Sequence, residues 1–407
     1  MSKISKIRFK GYSEEVRRKL LKQLVKLDGR IGFRGYTKQD IVERSNGVLA
    51  YSPTNILKNK IVNGKNDTYI SQAKYEESPE IMVKKNNILF VKTGSTLGKS
   101  SIVRELTEPA TINPQLIVIK TIHVDSYYLA VYLLTDSIQK QIFQAKIGGA
   151  VPTLTETEIG KFVISLPSLA EQSAIGSLFR TLDDLLASYK DNLANYQSLK
   201  ATMLSKMFPK AGQTVPEIRL DGFEGEWKIK RADEIFKSVS EKNRALLPVL
   251  SASQIDGMVL RDEIGIDIKY DEATLNNYKV VKPGQFVIHL RSFQGGFALS
   301  KLEGITSPAY TIIDFIDKEN HLPGFWNSIL TSKEFIKRLE TVTYGIRDGK
   351  SISFKDFSSL KFVFPNLEEQ QAIGSYFSNL DNLISAHQEK ITQLETLKKK
   401  LLQDMFI

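Results

Sequence analysis

Cysteine is absent from this chain of 407 residues, which excludes disulfide bonds and thiolate zinc sites and fits a reducing compartment. The four histidines are scattered at His123, His289, His321 and His387, so no metal site is expected. No apolar run approaches the roughly 18 residues of a membrane span, and the first residues lack an apolar signal core. These absences predict a cytoplasmic protein without a bound metal.

Positive charge is in excess: 56 Lys and Arg residues stand against 46 Asp and Glu residues, a net charge of +10. A basic balance of this size suits a polyanionic partner such as nucleic acid, although proteins with unrelated roles share it. The length fits two to four domains, each large enough to bury a core.

The sequence contains two copies of one unit. The segment Leu166-Pro-Ser-Leu-Ala-Glu-Gln-Ser-Ala-Ile-Gly-Ser-Leu-Phe returns 198 positions later as Phe364-Pro-Asn-Leu-Glu-Glu-Gln-Gln-Ala-Ile-Gly-Ser-Tyr-Phe. An upstream segment, Ile7-Arg-Phe-Lys-Gly-Tyr, returns 211 positions later as Ile218-Arg-Leu-Asp-Gly-Phe. A duplicated unit suggests a target that also has two parts.

Each copy has a variable part and a repeated tail. The variable parts contain short β-branched and aromatic runs, which predict strands, and helical patterns at residues 127–142 and 323–339. We therefore predict an α+β fold with an internal pseudo-twofold. Two mixed α/β domains at residues 1–163 and 213–361 are separated by long helical regions at residues 164–212 and 362–407.

The repeated tails predict helices that pair as a coiled coil. Ser168 and Asn366 each fit an N-cap with a glutamate three residues later that reaches back to the cap. Apolar residues then recur in alternating steps of four and three over about 30 residues, or roughly 45 Å. One seam is Leu182, Leu186, Tyr189, Leu193, Tyr196, Lys200, Met203 and Met207, and the other is Leu380, Ile384, His387, Ile391, Leu394, Lys398, Leu401 and Met405.

The two seams match in length and phase, which favours pairing over two amphipathic helices that each pack on their own domain. Lys200 and Lys398 fall at the same register, so each seam carries one polar position that can lock the register.

The segment at residues 92–100 is similar to a phosphate-binding P-loop. Its glycines, Gly94 and Gly98, are separated by three residues, whereas the loop needs four. No acidic strand for magnesium accompanies it. A tight glycine turn that presents polar side chains to a phosphate backbone fits better than a nucleotide site.

With these features the chain resembles the specificity (S) subunit of type I restriction–modification systems over nearly all of its length. The resemblance rests on the paired segments at residues 166–172 and 364–370, each followed by a Leu-Asp helix, and on residues 216–227 and 90–99. The first copy departs from the second in one place, with Glu14-Glu-Val where the second has Gly225-Glu-Trp.

The resemblance implies two target recognition domains, each of which reads one half of a bipartite site in double-stranded DNA. It implies that the repeated helices pack antiparallel, set the spacer and dock two methyltransferase (M) subunits, and that restriction (R) subunits join the complex. It implies no catalytic residue in this chain, so AdoMet, ATP and Mg are expected on partner subunits.

The DNA-binding candidates are polar side chains expected on loops, because Arg and Lys contact phosphates and Arg also grips guanine. They are Arg34, Lys38, Lys92, Ser95, Lys99 and Lys146 in the first domain, and Arg291, Ser292, Gln294, Arg347 and Lys350 in the second. The alternative for each is a solvated surface residue. For the whole chain the alternatives are a stand-alone bipartite DNA-binding scaffold or regulator, an enzyme that uses the near-P-loop, and a structural coiled-coil protein.

Overall fold

The computed structural model of the chain describes residues 7–147, 149, 151–253, 256–264, 272–342 and 352–406. Its contacts divide the chain into two compact units. Unit 1 comprises Met1–Lys190 and Glu389–Ile407, and unit 2 comprises Asp191–Gln388. The division cuts through both predicted helical regions, so each unit contains one variable domain and one half of each long helix.

Unit 1 is built on two four-stranded sheets. Its strands are β1 (Arg17–Leu20), β2 (Val25–Gly29), β3 (Ile41–Val42), β4 (Gly47–Tyr51), β5 (Ile56–Leu57), β6 (Lys60–Ile61), β7 (Thr68–Ser71), β8 (Ile88–Val91), β9 (Ser100–Ile102), β10 (Ala110–Ile112), β11 (Leu116–Thr121) and β12 (Val163–Leu166). One sheet is antiparallel with the order β2-β11-β8-β9, and the other has the order β10-β4-β7-β3 with β10 parallel to β4. The remaining strands form the antiparallel pairs β1–β12 and β5–β6.

The central strand β8 is buried on both faces. Its side chains point alternately to the two faces of the sheet, and each face packs against a different core. Ile88 and Phe90 face a core that contains the helical residue Leu129. Leu89 and Val91 face the core shared with the second sheet. Because successive side chains of a strand point to opposite faces, one run of four apolar residues serves both cores.

The helices of unit 1 are short, apart from the last one. They are α1 (Gln72–Glu76), α2 (Ser126–Tyr132), α3 (Asp136–Ala145), α4 (Glu156–Gly160) and α5 (Leu169–Lys206). The single helix predicted at residues 127–142 is therefore wrong in one respect, because it is two helices. Thr135 has an extended backbone, and its hydroxyl donates to the carbonyl of Tyr132 at 2.7 Å, so the first helix stops there.

The described part of unit 2 has one four-stranded antiparallel sheet, with the order β14-β21-β18-β19, and three two-stranded pairs where unit 1 has a second four-stranded sheet and two pairs. The strands of unit 2 are β13 (Lys228–Arg231), β14 (Phe236–Val239), β15 (Leu250–Ser253), β16 (Gly257–Leu260), β17 (Lys279–Val281), β18 (Phe286–Ile288), β19 (Ala298–Leu299), β20 (Gly304–Thr306), β21 (Thr311–Phe315) and β22 (Lys361–Phe364). Its helices are α6 (Ala232–Ile235), α7 (Ser292–Gly295), α8 (Pro323–Leu330), α9 (Lys333–Val342), α10 (Phe354–Ser358) and α11 (Leu367–Met405). The helix predicted at residues 323–339 is again two helices.

A buried ion pair anchors the start of each long helix. In unit 1 the Arg8 Nε and Nη2 atoms donate to the two carboxylate oxygens of Glu171 at 2.7 and 2.6 Å. In unit 2 Arg219 makes the same bidentate contact with Glu369, at 2.7 Å for both bonds. Planar pairing of this kind is strong and specific in orientation, so it fixes the upstream repeated segment against the helix.

These contacts correct one part of the capping prediction. Ser168 and Asn366 do accept from the backbone N–H three residues on, at 3.4 and 3.0 Å. The glutamates do not reach back to the caps, because Glu171 and Glu369 are engaged by the arginines instead. The glutamate three residues after each cap thus makes a tertiary contact and does not cap the helix.

The glutamine beside each of these glutamates also has a repeated role. The Gln172 side chain accepts from the Asp125 N–H at 3.0 Å and donates to the Pro167 carbonyl at 2.9 Å. Gln370 accepts from the Leu322 N–H at 3.1 Å and donates to the Pro365 carbonyl at 3.0 Å. Each glutamine therefore connects the start of the long helix to the loop before α2 or α8.

The end of one long helix completes the core of each unit. In unit 1 the Phe406 ring, just after α11, lies 5.7 Å from the ring of Phe179. In unit 2 the Phe208 ring, just after α5, lies 6.0 Å from the ring of Phe377. Both residues of the second contact lie 198 positions from their counterparts, so the repeat preserves the packing as well as the sequence.

The long helices contain 38 and 39 residues, or about 57 Å each, which is longer than the predicted 45 Å. Every seam position is buried or half-buried, as it would be in a paired coil. In unit 1 Asp183 contacts Lys398 at 2.6 Å and Lys190 contacts Glu395 at 2.5 Å. In unit 2 Lys200 contacts Asp381 at 2.5 Å.

Within unit 1, partner numbers fall along α11 as they rise along α5, so the two helix halves run antiparallel. Unit 2 shows the same direction. The Tyr196 ring lies 5.1 Å from the His387 ring, and Lys200 pairs with Asp381, so partner numbers again fall along α11 as they rise along α5. Each polar seam position therefore meets an aspartate of the other helix.

Candidate nucleic-acid interface

The near-P-loop of unit 1 is a tight turn between β8 and β9. The Val91 N–H donates to the Lys99 carbonyl at 2.8 Å, and the Gly98 N–H donates to the Val91 carbonyl at 2.9 Å. Gly94 and Gly98 have φ angles of +107° and +88°, which residues with a Cβ rarely adopt. The turn leaves Ser95 and Lys99 exposed.

This geometry favours the glycine-turn interpretation over a nucleotide site. A P-loop passes from a strand into a helix, whose N-terminus binds the phosphates. Here the residues after Lys99 form β9, so no helix begins at this turn. The segment therefore offers polar side chains from a rigid hairpin.

A second hairpin lies against the first. The Gly94 N–H donates to the Pro152 carbonyl at 3.0 Å, and Ile147 exchanges two backbone hydrogen bonds with Thr153 at 3.0 and 2.9 Å. Lys146, at the end of α3, places its ammonium 4.1 Å from the ring centroid of Phe143. We call the exposed side chains that meet here the unit 1 tip: Ser95, Lys99, Phe143, Lys146, Ile147 and Val151.

Lys92 lies at the base of the tip, and its ammonium is already paired. Its Nζ atom donates to Glu156 Oε1 at 2.7 Å, and the lysine is mostly buried. Its charge is therefore largely neutralised within the unit. A contact from Lys92 to DNA stays a prediction.

Arg34 and Lys38 follow β2, which ends at the sheet edge from which the β8–β9 turn also leaves. The Arg34 guanidinium donates to the Glu77 carbonyl at 3.0 Å and lies 3.9 Å from Glu80, whereas Lys38 is exposed. The structure thus places four candidates at the two hairpins and two on a neighbouring loop.

In unit 2 the turn after β18 corresponds to the β8–β9 turn of unit 1, and buried side chains hold it in place. Arg291 and Gln294 are exposed, but Ser292 is fully buried and its hydroxyl donates to the His289 carbonyl at 2.7 Å. His289 Nδ1 accepts from the Arg291 N–H at 3.2 Å, and burial lowers the pKa of His289 to about 4. As placed, Ser292 supports the turn and faces the interior.

Two further candidates, Arg347 and Lys350, lie outside the described residues. Contacts of the remaining candidates with bases or phosphates stay predictions. Among the described residues no group of three or more His, Asp or Glu side chains is arranged to hold a metal ion. No helix in this described part is long and apolar enough to cross a membrane.

Sequence reasoning missed the apolar half of the unit 1 tip. Phe143, Ile147 and Val151 are all exposed, although residues of this kind are usually buried. Nothing in the local sequence marked Phe143 as exposed, because adjacent apolar residues can both be buried in a short helix, as they are in α2.

Two matches to a family model cover most of the chain. The model describes the type I restriction modification DNA specificity domain, and it matches residues 21–195 and 224–396. Each match includes one variable part together with most of the following long helix. The duplication is thus a duplication of this domain.

Curated relatives have similar lengths. The type I restriction enzyme MjaVIII specificity subunit of Methanocaldococcus jannaschii is 25% identical over 339 residues, 79% of this chain and 79% of that protein. The putative type I restriction enzyme MjaX specificity subunit of the same organism is 24% identical over 362 residues, covering 82% of this chain and 80% of the relative.

Among solved structures, the S subunit of the type I restriction–modification system from M. genitalium shares the fold. It matches with a TM-score of 0.61 at 14% identity, over 99% of each chain. The chain therefore belongs to the type I restriction–modification DNA specificity family, whose members are the DNA-recognition subunits of these systems, and it carries two of the family's domains.

Proposed function

We propose that each unit reads one half of a bipartite site in double-stranded DNA, with unit 1 reading through the tip defined above. The observation that supports this best is the combination of two equivalent frames with two different exposed turns. Both frames use the same arginine–glutamate pair. The turn after β8 is instead a hairpin with two glycines of positive φ, whereas the turn after β18 contains the short helix α7 and the buried side chains of His289 and Ser292. Two copies of one scaffold that carry different surfaces are suited to two different half-sites.

In this proposal the long helices set the spacer between the half-sites. Residues of both α5 and α11 belong to each unit, and each helix is about 57 Å long. Two sites one turn of B-DNA apart are separated by about 34–36 Å, well within this span. The Lys–Asp pairs across the seam oppose sliding of one helix along the other.

The outer face of the helices offers two equivalent docking patches. In unit 1, Leu185 of α5 and Leu397 of α11 are both exposed, and in unit 2, Leu383 and Leu199 are their counterparts 198 positions away. In each unit both leucines precede a seam position by one residue, and within one antiparallel pair of helix halves such positions lie on the same side of the seam. Each patch is therefore centred on two leucines.

The α5 stripe that contains Leu185 and Leu199 carries no charge between Thr181 and Thr202, whereas the α11 stripe that contains Leu383 and Leu397 includes Lys390 and Lys400. The exposed residues of the α5 stripe are Thr181, Leu185, Ser188, Asn192, Asn195, Leu199 and Thr202. Depletion of charged residues is typical of the centre of a protein interface. Two patches that each contain two exposed leucines support docking of two methyltransferase subunits, one on each, with restriction subunits joining through the complex.

We assign catalysis to those partners, so this chain is a non-catalytic subunit of a cytoplasmic complex, and AdoMet, ATP and Mg bind elsewhere in it. The hairpin geometry of the near-P-loop supports the assignment of nucleotide binding to partner subunits, because this segment, which resembles a nucleotide-binding motif in sequence, leads into a strand and not into a helix. A stand-alone bipartite DNA-binding regulator is not favoured, since it leaves the uncharged stripe without a role.

Exchange of the first variable part tests the proposal. Residues 21–162 would be replaced by the equivalent part of another specificity subunit and expressed with the methyltransferase and restriction subunits. Methylation mapped along the host DNA should change in one half-site only and keep the spacer, because β12 and the helices are retained. Change in both half-sites contradicts independent reading. A wild-type chain that binds the bipartite site but does not co-purify with methyltransferase subunits supports the regulator.

A further inference from the structure

The unit 1 tip exposes three apolar side chains on α3 and the second hairpin, which we call the apolar cluster. Phe143, Ile147 and Val151 are 69%, 57% and 60% exposed. Apolar surface in water is unfavourable by roughly 25 cal/mol per Å², and clusters of it mark binding sites more often than single exposed residues do. This cluster is not disordered surface, because Ile147 is held by its two hydrogen bonds to Thr153 and Phe143 by helix α3.

The side chains around the cluster are polar and positive. Ser95 and Lys99 are exposed on the adjoining hairpin, and Lys146 lies over the Phe143 ring. The Gly98 position, one residue before Lys99, lies against Ile142, so the first hairpin packs on the same helix that carries Phe143. An apolar centre with flanking lysines matches DNA, in which apolar base atoms lie between two lines of phosphates.

The arrangement distinguishes between two apolar features of DNA. A ring that intercalates fully between two stacked base pairs stacks on both of its faces, but the Lys146 ammonium occupies one face of Phe143 at 4.1 Å. The 5-methyl group of thymine, which projects into the major groove, needs only an edge or one face. The ring is therefore suited to a methyl contact.

We propose that Phe143, supported by Ile147 and Val151, contacts the 5-methyl group of a thymine in the half-site read by unit 1, while Lys99 contacts a flanking phosphate. The inference rests on the proposed function, since it assumes that unit 1 reads DNA. It adds a specificity-determining residue and names the base feature that this residue recognises.

The test uses the full chain in complex with its methyltransferase subunits and a fluorescent duplex that carries the site found by methylation mapping. Each thymine of the half-site is replaced in turn by uracil, which lacks only the 5-methyl group. For the wild type, one such replacement should weaken binding about fourfold, the effect of one buried methyl group. With Phe143→Ala the same replacement should have no effect, and the variant should already bind the thymine duplex more weakly.

Two control variants separate this contact from general effects. Ile122→Ser removes a side chain of equal exposure, 61%, at the opposite end of β11, and it should leave binding and the uracil effect unchanged. Lys99→Ala should lower the salt dependence of binding by about one phosphate contact and keep the uracil effect. Because Phe143 is exposed, its removal leaves no cavity, and Val151→Ala gives a second, smaller truncation of the cluster.

The outcomes are distinguishable. If the wild type binds the site and no uracil replacement depends on Phe143, the inference is overturned and the proposed function stands. If 2-aminopurine beside the affected position brightens on binding, the base is unstacked and a wedge replaces the methyl contact. If the wild type binds no bipartite DNA at all, the proposed function itself fails.

Discussion

In both units the same arginine–glutamate pair joins the start of a long helix to the repeated segment upstream, whereas the turns after β8 and β18 differ in how they are built. The turn after β8 has two glycines with positive φ and exposes Ser95 and Lys99. The turn after β18 contains a buried histidine and a buried serine. The contacts that join the repeated segments are thus kept where the turns have diverged, so these turns can change without disturbing them.

The cores of the units also differ. Unit 2 buries two histidines, His289 and His321, whereas the only histidine of unit 1, His123, is exposed. Burial lowers the pKa of each buried histidine to about 4. The helix halves differ as well, since the Lys190–Glu395 pair of unit 1 is replaced in unit 2 by Gln388 and Gln197 at the repeated positions.

The largest expected effect comes from breaking the shared ion pair. Glu369→Ala should lower the free energy of unfolding of unit 2 by about 3 kcal/mol, because it leaves the Arg219 guanidinium poorly solvated and unpaired. Glu171→Ala should do nearly the same in unit 1, since the geometry is the same. Amide hydrogen exchange of β1 and β12, compared with β13 and β22, measures the two units separately.

The control is Asp233→Ala, which removes an exposed ion pair with Arg231 and should not change exchange measurably. The comparison fails if one of the two buried pairs proves dispensable. In that case the two equivalent ion pairs would contribute differently to the stability of their units, and one unit would depend on other contacts.

Whether a contact could be predicted from the sequence depends on how far apart its two residues lie along the chain. The seam was readable because its period is local, and the Ser168 and Asn366 caps bond only three residues away. The arginine–glutamate pairs span 163 and 150 residues, so the sequence suggested a local capping role for glutamates that have a tertiary one.

The same limit applies to the candidate site. The glycine turn was predictable from its own residues. The pairing of Lys92 with Glu156 and the meeting of two hairpins at the tip depend on strand order, which single-sequence patterns do not encode. Burial of Ser292 likewise follows from how its turn packs, and nothing in the local sequence marks it.

The next largest effect is an acid sensitivity confined to unit 2. Between pH 6.5 and 4 the unfolded chain protonates His289 and His321, but the folded unit keeps both neutral, because their folded pKa values are about 4. The unfolded state then binds more protons, so stability is complete above pH 6.5 and falls as pH decreases. At pH 5.5 the two histidines together should cost unit 2 about 2.5 kcal/mol, and unit 1 should lose much less.

His321→Phe sharpens this comparison. The His321 ring stacks on Phe315 with centroids 5.6 Å apart, and its buried Nδ1 atom has no hydrogen-bond partner, so a phenyl ring can replace it. The variant should keep the fold and show about half the pH slope of unit 2 when hydrogen exchange is measured at pH 6.5 and pH 5. An unchanged slope would assign the acid sensitivity to other groups.

The smallest expected effect concerns the two lysine–aspartate pairs at the polar seam positions. They occupy repeated positions in the sequence, but they differ in solvent exposure. Lys398 and Asp183 are 22% and 25% exposed, whereas Lys200 and Asp381 are 29% and 47% exposed. A less solvated pair is less screened, so its coupling is stronger. We expect about 1 kcal/mol for the first pair and about 0.5 kcal/mol for the second in double-mutant cycles.

The cycles combine Lys398→Met with Asp183→Asn, and Lys200→Met with Asp381→Asn, and thermal unfolding reports each coupling. The reversed pair Lys398→Asp with Asp183→Lys should regain part of the loss, because the two charges still meet across the seam. If neither cycle shows coupling, the apolar seam alone fixes the helix register. The lysines would then be needed for solubility and not for the length of the spacer.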